Sequence, residues 1–278
     1  MIAFTARQLQ MERLFHGSLH LRRLGAENPP ATLLYIHGLG ESALCFERLM
    51  VDARLSAWSH LAVDLIGYGK SGWAAEALTL EEHAARLAQL VGELGPGRPV
   101  VVGHSMGGVI GTLLCERLRE QIAGFVNVEG NISPPDCGFS SQAVRFAPDA
   151  WLSHGFDEVL DNIYLDEAES AVVRRAYGAS IQMCDPRAFH RNSEELVAFS
   201  RQEALAGRMA ELAVPGVYVR GLPRGSGERS LRLLREAGVE TVAIEASGHW
   251  PFLDQHEAFV SQLVEFLTGP AAGEGTGS

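Results

Sequence analysis

The alternation of apolar and polar positions divides the chain into short Val-, Ile- and Leu-rich runs separated by stretches of helical spacing. Six runs read as buried strands: residues 31–38 (ATLLYIHG), 60–65 (HLAVDL), 99–103 (PVVVG), 124–129 (GFVNVE), 216–221 (GVYVRG) and 240–245 (ETVAIE). Continuous apolar runs of this length, rather than strict alternation, suit strands covered on both faces. With helical stretches between them they predict an α/β fold: a mostly parallel central sheet flanked by helices. A hairpin pattern around residues 7–24 would add antiparallel edge strands.

The rhythm breaks once. About 85 residues separate the fourth and fifth runs, where a connection usually takes about 2 to 6. Inside this interval, residues 151–164, 169–183 and 194–212 place apolar side chains three and four apart with charges between them, which predicts amphipathic helices. We read residues 131–209 as an inserted helical cap, residues 1–130 and 210–268 as the core, and residues 269–278 (GPAAGEGTGS) as a flexible tail. An insertion at this point lies above the carboxyl ends of the strands, where open α/β sheets bind ligands. Phe139, Phe146, Trp151, Phe156 and Tyr164 are its candidates for an apolar pocket wall, although packing between helices accounts for them equally well.

Length and charge narrow the function. A chain of 278 residues fits one large α/β domain carrying an insertion. Its net charge of -11, with no Lys/Arg run, lacks the footprint needed for nucleic acid or an anionic membrane. No segment reaches the roughly 18 apolar residues of a membrane span, and the first residues lack a basic region followed by an apolar run. A cytoplasmic enzyme acting on a small molecule is therefore expected, with a homodimer as the candidate assembly. The four cysteines are scattered without a C-x-x-C pair and read as buried free thiols.

Three segments carry candidate chemistry. Gly103-His104-Ser105-Met106-Gly107 lies between a buried strand and a helix. A serine on so sharp a turn needs glycines two positions before and after it, and the helix start behind it offers N–H groups to developing negative charge. His37-Gly38-Leu39-Gly40 closes the first central strand, and Ser247-Gly248-His249-Trp250-Pro251 follows the last. Together they predict Ser105 as nucleophile, His249 as general base, and the backbone N–H groups of Leu39 and Met106 as oxyanion donors. No H-E-x-x-H pattern or phosphate loop is present in the sequence, and this chemistry requires neither metal nor organic cofactor.

HGLG, DLIGYGKSG, GHSMGG and SGHWPFLDQ, in this order and spacing, resemble the α/β-hydrolase superfamily over nearly the whole chain apart from cap and tail. The resemblance implies that fold and a Ser-His-acid triad, with Asp64 and Gly67 structural and His37 and His104 serving packing and loop order. Many relatives carry the acid, usually an Asp, after the strand that here is GVYVRG. Here that loop runs from Leu222 to Glu228 without an Asp. Some relatives, haloalkane dehalogenases among them, place a Glu after the preceding strand, which points to Glu129, with Glu228 the alternative and Asp136 and Asp254 weaker ones. A serine nucleophile disfavours displacement at saturated carbon, because an alkyl ether on Ser105 has no exit. Hydrolysis of a carboxylic ester or related acyl bond is expected, on a substrate with an apolar part. Two alternatives stand: a thioesterase or carbon-carbon hydrolase, and a small-molecule receptor that retains the triad.

Overall fold

The computed structural model describes residues 11–93, 97–165 and 170–269. Its centre is one sheet of eight strands: β1 (Glu12–His16), β2 (Leu19–Leu24), β3 (Thr32–Ile36), β4 (Ser59–Asp64), β5 (Val100–His104), β6 (Gly124–Val128), β7 (Gly216–Pro223) and β8 (Thr241–Ser247), in the order β1-β2-β4-β3-β5-β6-β7-β8. The six expected strands form within two residues of their expected limits. β1 and β2 pair antiparallel with Leu14 opposite Leu21, and β2 pairs antiparallel with β4. The expected hairpin is thus present, while residues 7–10 lie outside the described part. From β4 across to β8 every pairing is parallel.

All residues of β5 and β6 are buried, which is why these runs are continuously apolar rather than alternating. Helices close the faces. α1 (Leu80–Glu93) turns Leu80, Ala84, Leu87, Leu90 and Val91 inward, the one-sided stripe of a surface helix. α2 (Met106–Leu118), by contrast, is buried almost all round. It is the helix that follows the turn at Ser105, so the turn is anchored at both ends by the centre of the core.

The interval between β6 and β7 folds into α3 (Gly138–Ala143), α4 (Phe156–Leu165), α5 (Ala171–Ile181), α6 (Pro186–Gln202) and α7 (Leu205–Ala210). The expectation of one helical stretch across 194–212 needs correcting. Glu203 takes the left-handed conformation, φ 53°, at the end of α6, and α7 begins two residues later. Asp185 starts α6 by accepting the Arg187 N–H at 2.9 Å, with Pro186 in the first turn. After β7 come α8 (Glu228–Glu236) and, after β8, α9 (His256–Thr268). All four cysteines are buried and unpaired with one another. Among the described residues no helix is long and apolar enough to cross a membrane.

Candidate active site

β5 delivers Ser105 to the end of the sheet through a turn that excludes side chains. A Cβ on Gly103 would stand 2.2 Å from the Gly107 carbonyl oxygen, and one on Gly107 would stand 2.1 Å from that of Ile36 in β3. Both are main-chain obstacles that cannot rotate away. Ser105 itself holds φ 53° and ψ −117° as the residue capping α2, and its N–H donates to the Val128 carbonyl at 2.9 Å. Met106 opens α2, where the first N–H groups have no partner within the helix.

The expected acid lies just beyond β6. Glu129 has φ 52° and is 1% exposed. Its Oε1 accepts the Gly221 N–H at 2.6 Å, and its Oε2 accepts both the N–H and the hydroxyl of Ser226, at 2.8 and 2.7 Å. The same Oε2 stands 3.5 Å from Nδ1 of His249. That is long for a full hydrogen bond, and such contacts commonly tighten when substrate closes the site. Burial alone would raise the Glu129 carboxyl, but His249, Ser226 and Gly221 together hold it below its usual range. The loop after β7, which lacks the usual Asp, is therefore the cradle of Glu129. Gly225 lies so close that a Cβ there would meet Oε1 at 2.0 Å.

The other carboxylates considered are held by other partners, although Asp136 also lines the cavity that holds Ser105. Glu228 is exposed in the first turn of α8. Asp254 accepts the Gly248 N–H at 3.0 Å and the Ser170 hydroxyl at 2.9 Å, tying the loop that carries His249 to the cap. Asp136 accepts the N–H groups of Ile132 and Ser133 and the Ser230 hydroxyl, and burial raises its carboxyl.

His37 orients the expected oxyanion peptide. Its Nε2 accepts the Leu65 N–H at 3.0 Å, so the ring proton sits on Nδ1 and is donated to the Gly38 carbonyl at 2.8 Å. In a trans peptide the carbonyl and the N–H point in opposite directions, which turns the Leu39 N–H away from His37. Burial lowers the His37 imidazole, in keeping with a neutral ring. From the cap, the Tyr177 hydroxyl donates to the Leu39 carbonyl at 2.8 Å.

A cavity of about 410 Å³ collects Leu39, Ser105, Glu129, Tyr177, His249 and Trp250. Of the aromatic residues expected on its wall, Phe139 lines it, stacked on Tyr177 at 5.3 Å. Phe146 and Phe156 instead pack on the buried Trp151 at 6.0 and 5.5 Å, forming the cap's own core. The side chain of Tyr164 lies outside the described part. Sequence reasoning missed Tyr177, Trp250, Ser226 and Glu41, which periodicity alone cannot tell from packing residues.

Residues 33–262 match the model of the alpha/beta hydrolase family. The chain is 34% identical over 180 residues to Lipase LipV of Mycobacterium tuberculosis, covering 65% of this chain and 62% of the lipase. It is 26% identical over 247 residues to the 2-succinyl-6-hydroxy-2,4-cyclohexadiene-1-carboxylate synthase of Serratia proteamaculans, covering 86% and 93%. In fold it is similar to the enol-lactonase from Burkholderia xenovorans LB400, with a TM-score of 0.74 and 20% identity over 93% of this chain and 100% of that one.

Proposed function

The chain belongs to the alpha/beta hydrolase family, and from that premise we propose that it is a serine hydrolase cleaving a carboxylic ester through Ser105, His249 and Glu129. The observation that carries the reading is the convergence of these three residues with Leu39 on one cavity, each delivered by a different strand end. A lipase among the relatives supports an ester as the bond cleaved.

In this mechanism the Ser105 hydroxyl attacks the acyl carbon while its proton passes to Nε2 of His249. Glu129 accepts a hydrogen bond from the Nδ1–H, fixes the tautomer, and stabilises the imidazolium that forms. The Leu39 and Met106 N–H groups hold the oxyanion. His249 then protonates the departing alcohol, leaving an acyl group on Ser105. Water, deprotonated by His249, attacks that ester and releases the acid as the Ser105 oxygen regains its proton. Each oxyanion donor in such a site contributes about 2.7 to 4 kcal/mol, so the peptide orientation enforced by His37 matters on the scale of the triad itself.

A relative matched over most of its length is named a synthase rather than an esterase, which keeps a second reading in which the same groups act on a thioester or a carbon-carbon bond. Hydrolysis of p-nitrophenyl acetate, butyrate and octanoate, with and without a serine-directed fluorophosphonate, separates the two. Ester turnover lost in step with labelling of Ser105 supports the first reading. Labelling without turnover of any ester favours the second, and absence of both overturns the nucleophile assignment.

A further inference from the structure

On the wall of the cavity a second carboxylate meets a second histidine. Nδ1 of His104 stands 2.7 Å from Oε2 of Glu41, and Nε2 of His104 stands 2.8 Å from the His249 carbonyl oxygen. Glu41 is engaged on both oxygens by other donors: Oε2 accepts the Gly38 N–H at 2.6 Å and Oε1 accepts the Trp250 indole N–H at 2.6 Å. Glu41 and His104 are 2% and 1% exposed. A carbonyl oxygen only accepts, and a carboxylate already receiving two N–H groups only accepts. Both ring nitrogens of His104 therefore face acceptors.

We propose that His104 is a doubly protonated imidazolium locked against the Glu41 carboxylate, and that this buried pair positions His249 and the Gly38–Leu39 peptide for the reaction proposed above, on which the positioning role rests. One carboxylate thereby fastens three separate segments: the loop after β3 through Gly38, the nucleophile turn through His104, and the loop after β8 through Trp250. The imidazolium adds a bond to the backbone of the general base itself. Its ring lies 4.9 Å from that of His249, with Trp250 at 5.8 Å and Phe252 at 5.0 Å closing the remaining sides. The neighbouring His37 is neutral by the tautomer its partners impose. Burial alone would raise the Glu41 carboxyl, yet His104, Trp250 and Gly38 bring it down to about 2. A charged hydrogen-bonded pair in a dry setting holds geometry more firmly than neutral partners do. Sub-ångström placement of His249 is where that firmness counts, since a shift of about 1 Å costs on the order of 100-fold in rate.

The test reads protonation and positioning separately. Nitrogen-15 NMR of histidine-labelled protein at neutral pH, assigned with His104→Gln, should show His104 with both ring nitrogens protonated. In Glu41→Gln one of those protons should be lost, with kcat for p-nitrophenyl butyrate down about 100-fold and KM within about twofold. His104→Ala should lose a similar factor, and His104→Gln, whose amide still reaches the His249 carbonyl, should recover about tenfold of it. A single ring proton on His104 in the parent protein overturns the ion pair. An unchanged kcat in Glu41→Gln, or equal loss in His104→Gln and His104→Ala, overturns the positioning role. A parent protein that turns over no ester overturns the functional reading and the positioning role with it, while the imidazolium stands or falls on the spectrum alone.

Discussion

Ser105 occupies a backbone conformation, φ 53° and ψ −117°, that a side chain enters only at a cost of about 1 to 3 kcal/mol. The strain is retained because the turn lifts the hydroxyl into the cavity, so stability and activity should part company here. Ser105→Ala and Ser105→Gly should both be inactive and folded, with the glycine variant more stable than the alanine variant by about 1 kcal/mol. Chemical denaturation of the two checks this, and equal stabilities would mean that the turn is not strained. Glu129 makes a complementary case. It accepts from Gly221 on one oxygen and from Ser226 on the other, which also faces Nδ1 of His249 at 3.5 Å, so a glutamine at this position must turn its NH₂ toward at least one donor. Glu129→Gln should lower kcat by about 10⁴-fold, by analogy with replacement of a triad acid, and should also lose stability. Glu228→Gln, altering an exposed residue of α8, should change neither. Kinetics and unfolding measured on both variants decide the assignment, and the reverse ranking would move the acid to Glu228.

At the scale of elements, the cap lines the cavity from three helices, with Phe139 on α3, Tyr177 on α5 and Leu196 on α6. α5 carries Tyr177, whose hydroxyl donates to the Leu39 carbonyl and whose ring contacts Trp250 at 5.4 Å. Tyr177→Phe keeps the ring and removes only the hydrogen bond, which at a net value near 1 kcal/mol should cost about fivefold in kcat with KM little changed. A larger rise in KM than fall in kcat would instead make Tyr177 a substrate contact. No feature of the sequence around Tyr177 announces this role. Ser105 was legible because its turn is built from five consecutive residues between a strand and a helix, and the strands were legible because burial on both faces leaves unbroken apolar runs. Glu129 was reached through resemblance, because a strand-end glutamate carries no local mark. The contacts of Tyr177 with Leu39 and of Trp250 with Glu41 join residues 138 and 209 positions apart, and spacing says nothing about such pairs. For the same reason Phe146 and Phe156 looked like wall residues when they are packing around Trp151.

For the whole molecule, buried neutral imidazoles set the response to acid. Nδ1 of His60 pairs with the Tyr35 hydroxyl at 3.0 Å and Nε2 with the Leu55 carbonyl at 3.1 Å, a pairing that the neutral ring satisfies by accepting from Tyr35 and donating to Leu55. Burial lowers it from 6.5 to about 4, and burial lowers His83, in α1, to about 3. The sign follows from proton counting. In the unfolded chain these rings take up a proton as the pH falls through about 6.5, while in the folded protein they stay neutral until about 4 and 3. The unfolded state thus binds more protons, and the stability these residues contribute, complete above about pH 6.5, is lost as the pH falls from there toward the folded values. Each such ring adds up to about 1.4 kcal/mol per pH unit to the slope. Urea denaturation between pH 6.5 and 5 should therefore show stability falling with acid, and His60→Gln, which keeps a donor for Leu55, should flatten that slope by about 1 kcal/mol per pH unit even if it lowers stability at neutral pH. A parallel slope in the variant would mean that His60 gains its proton inside the folded protein, and acid sensitivity would then have to be assigned to His83 and to His37, whose imidazole burial also lowers.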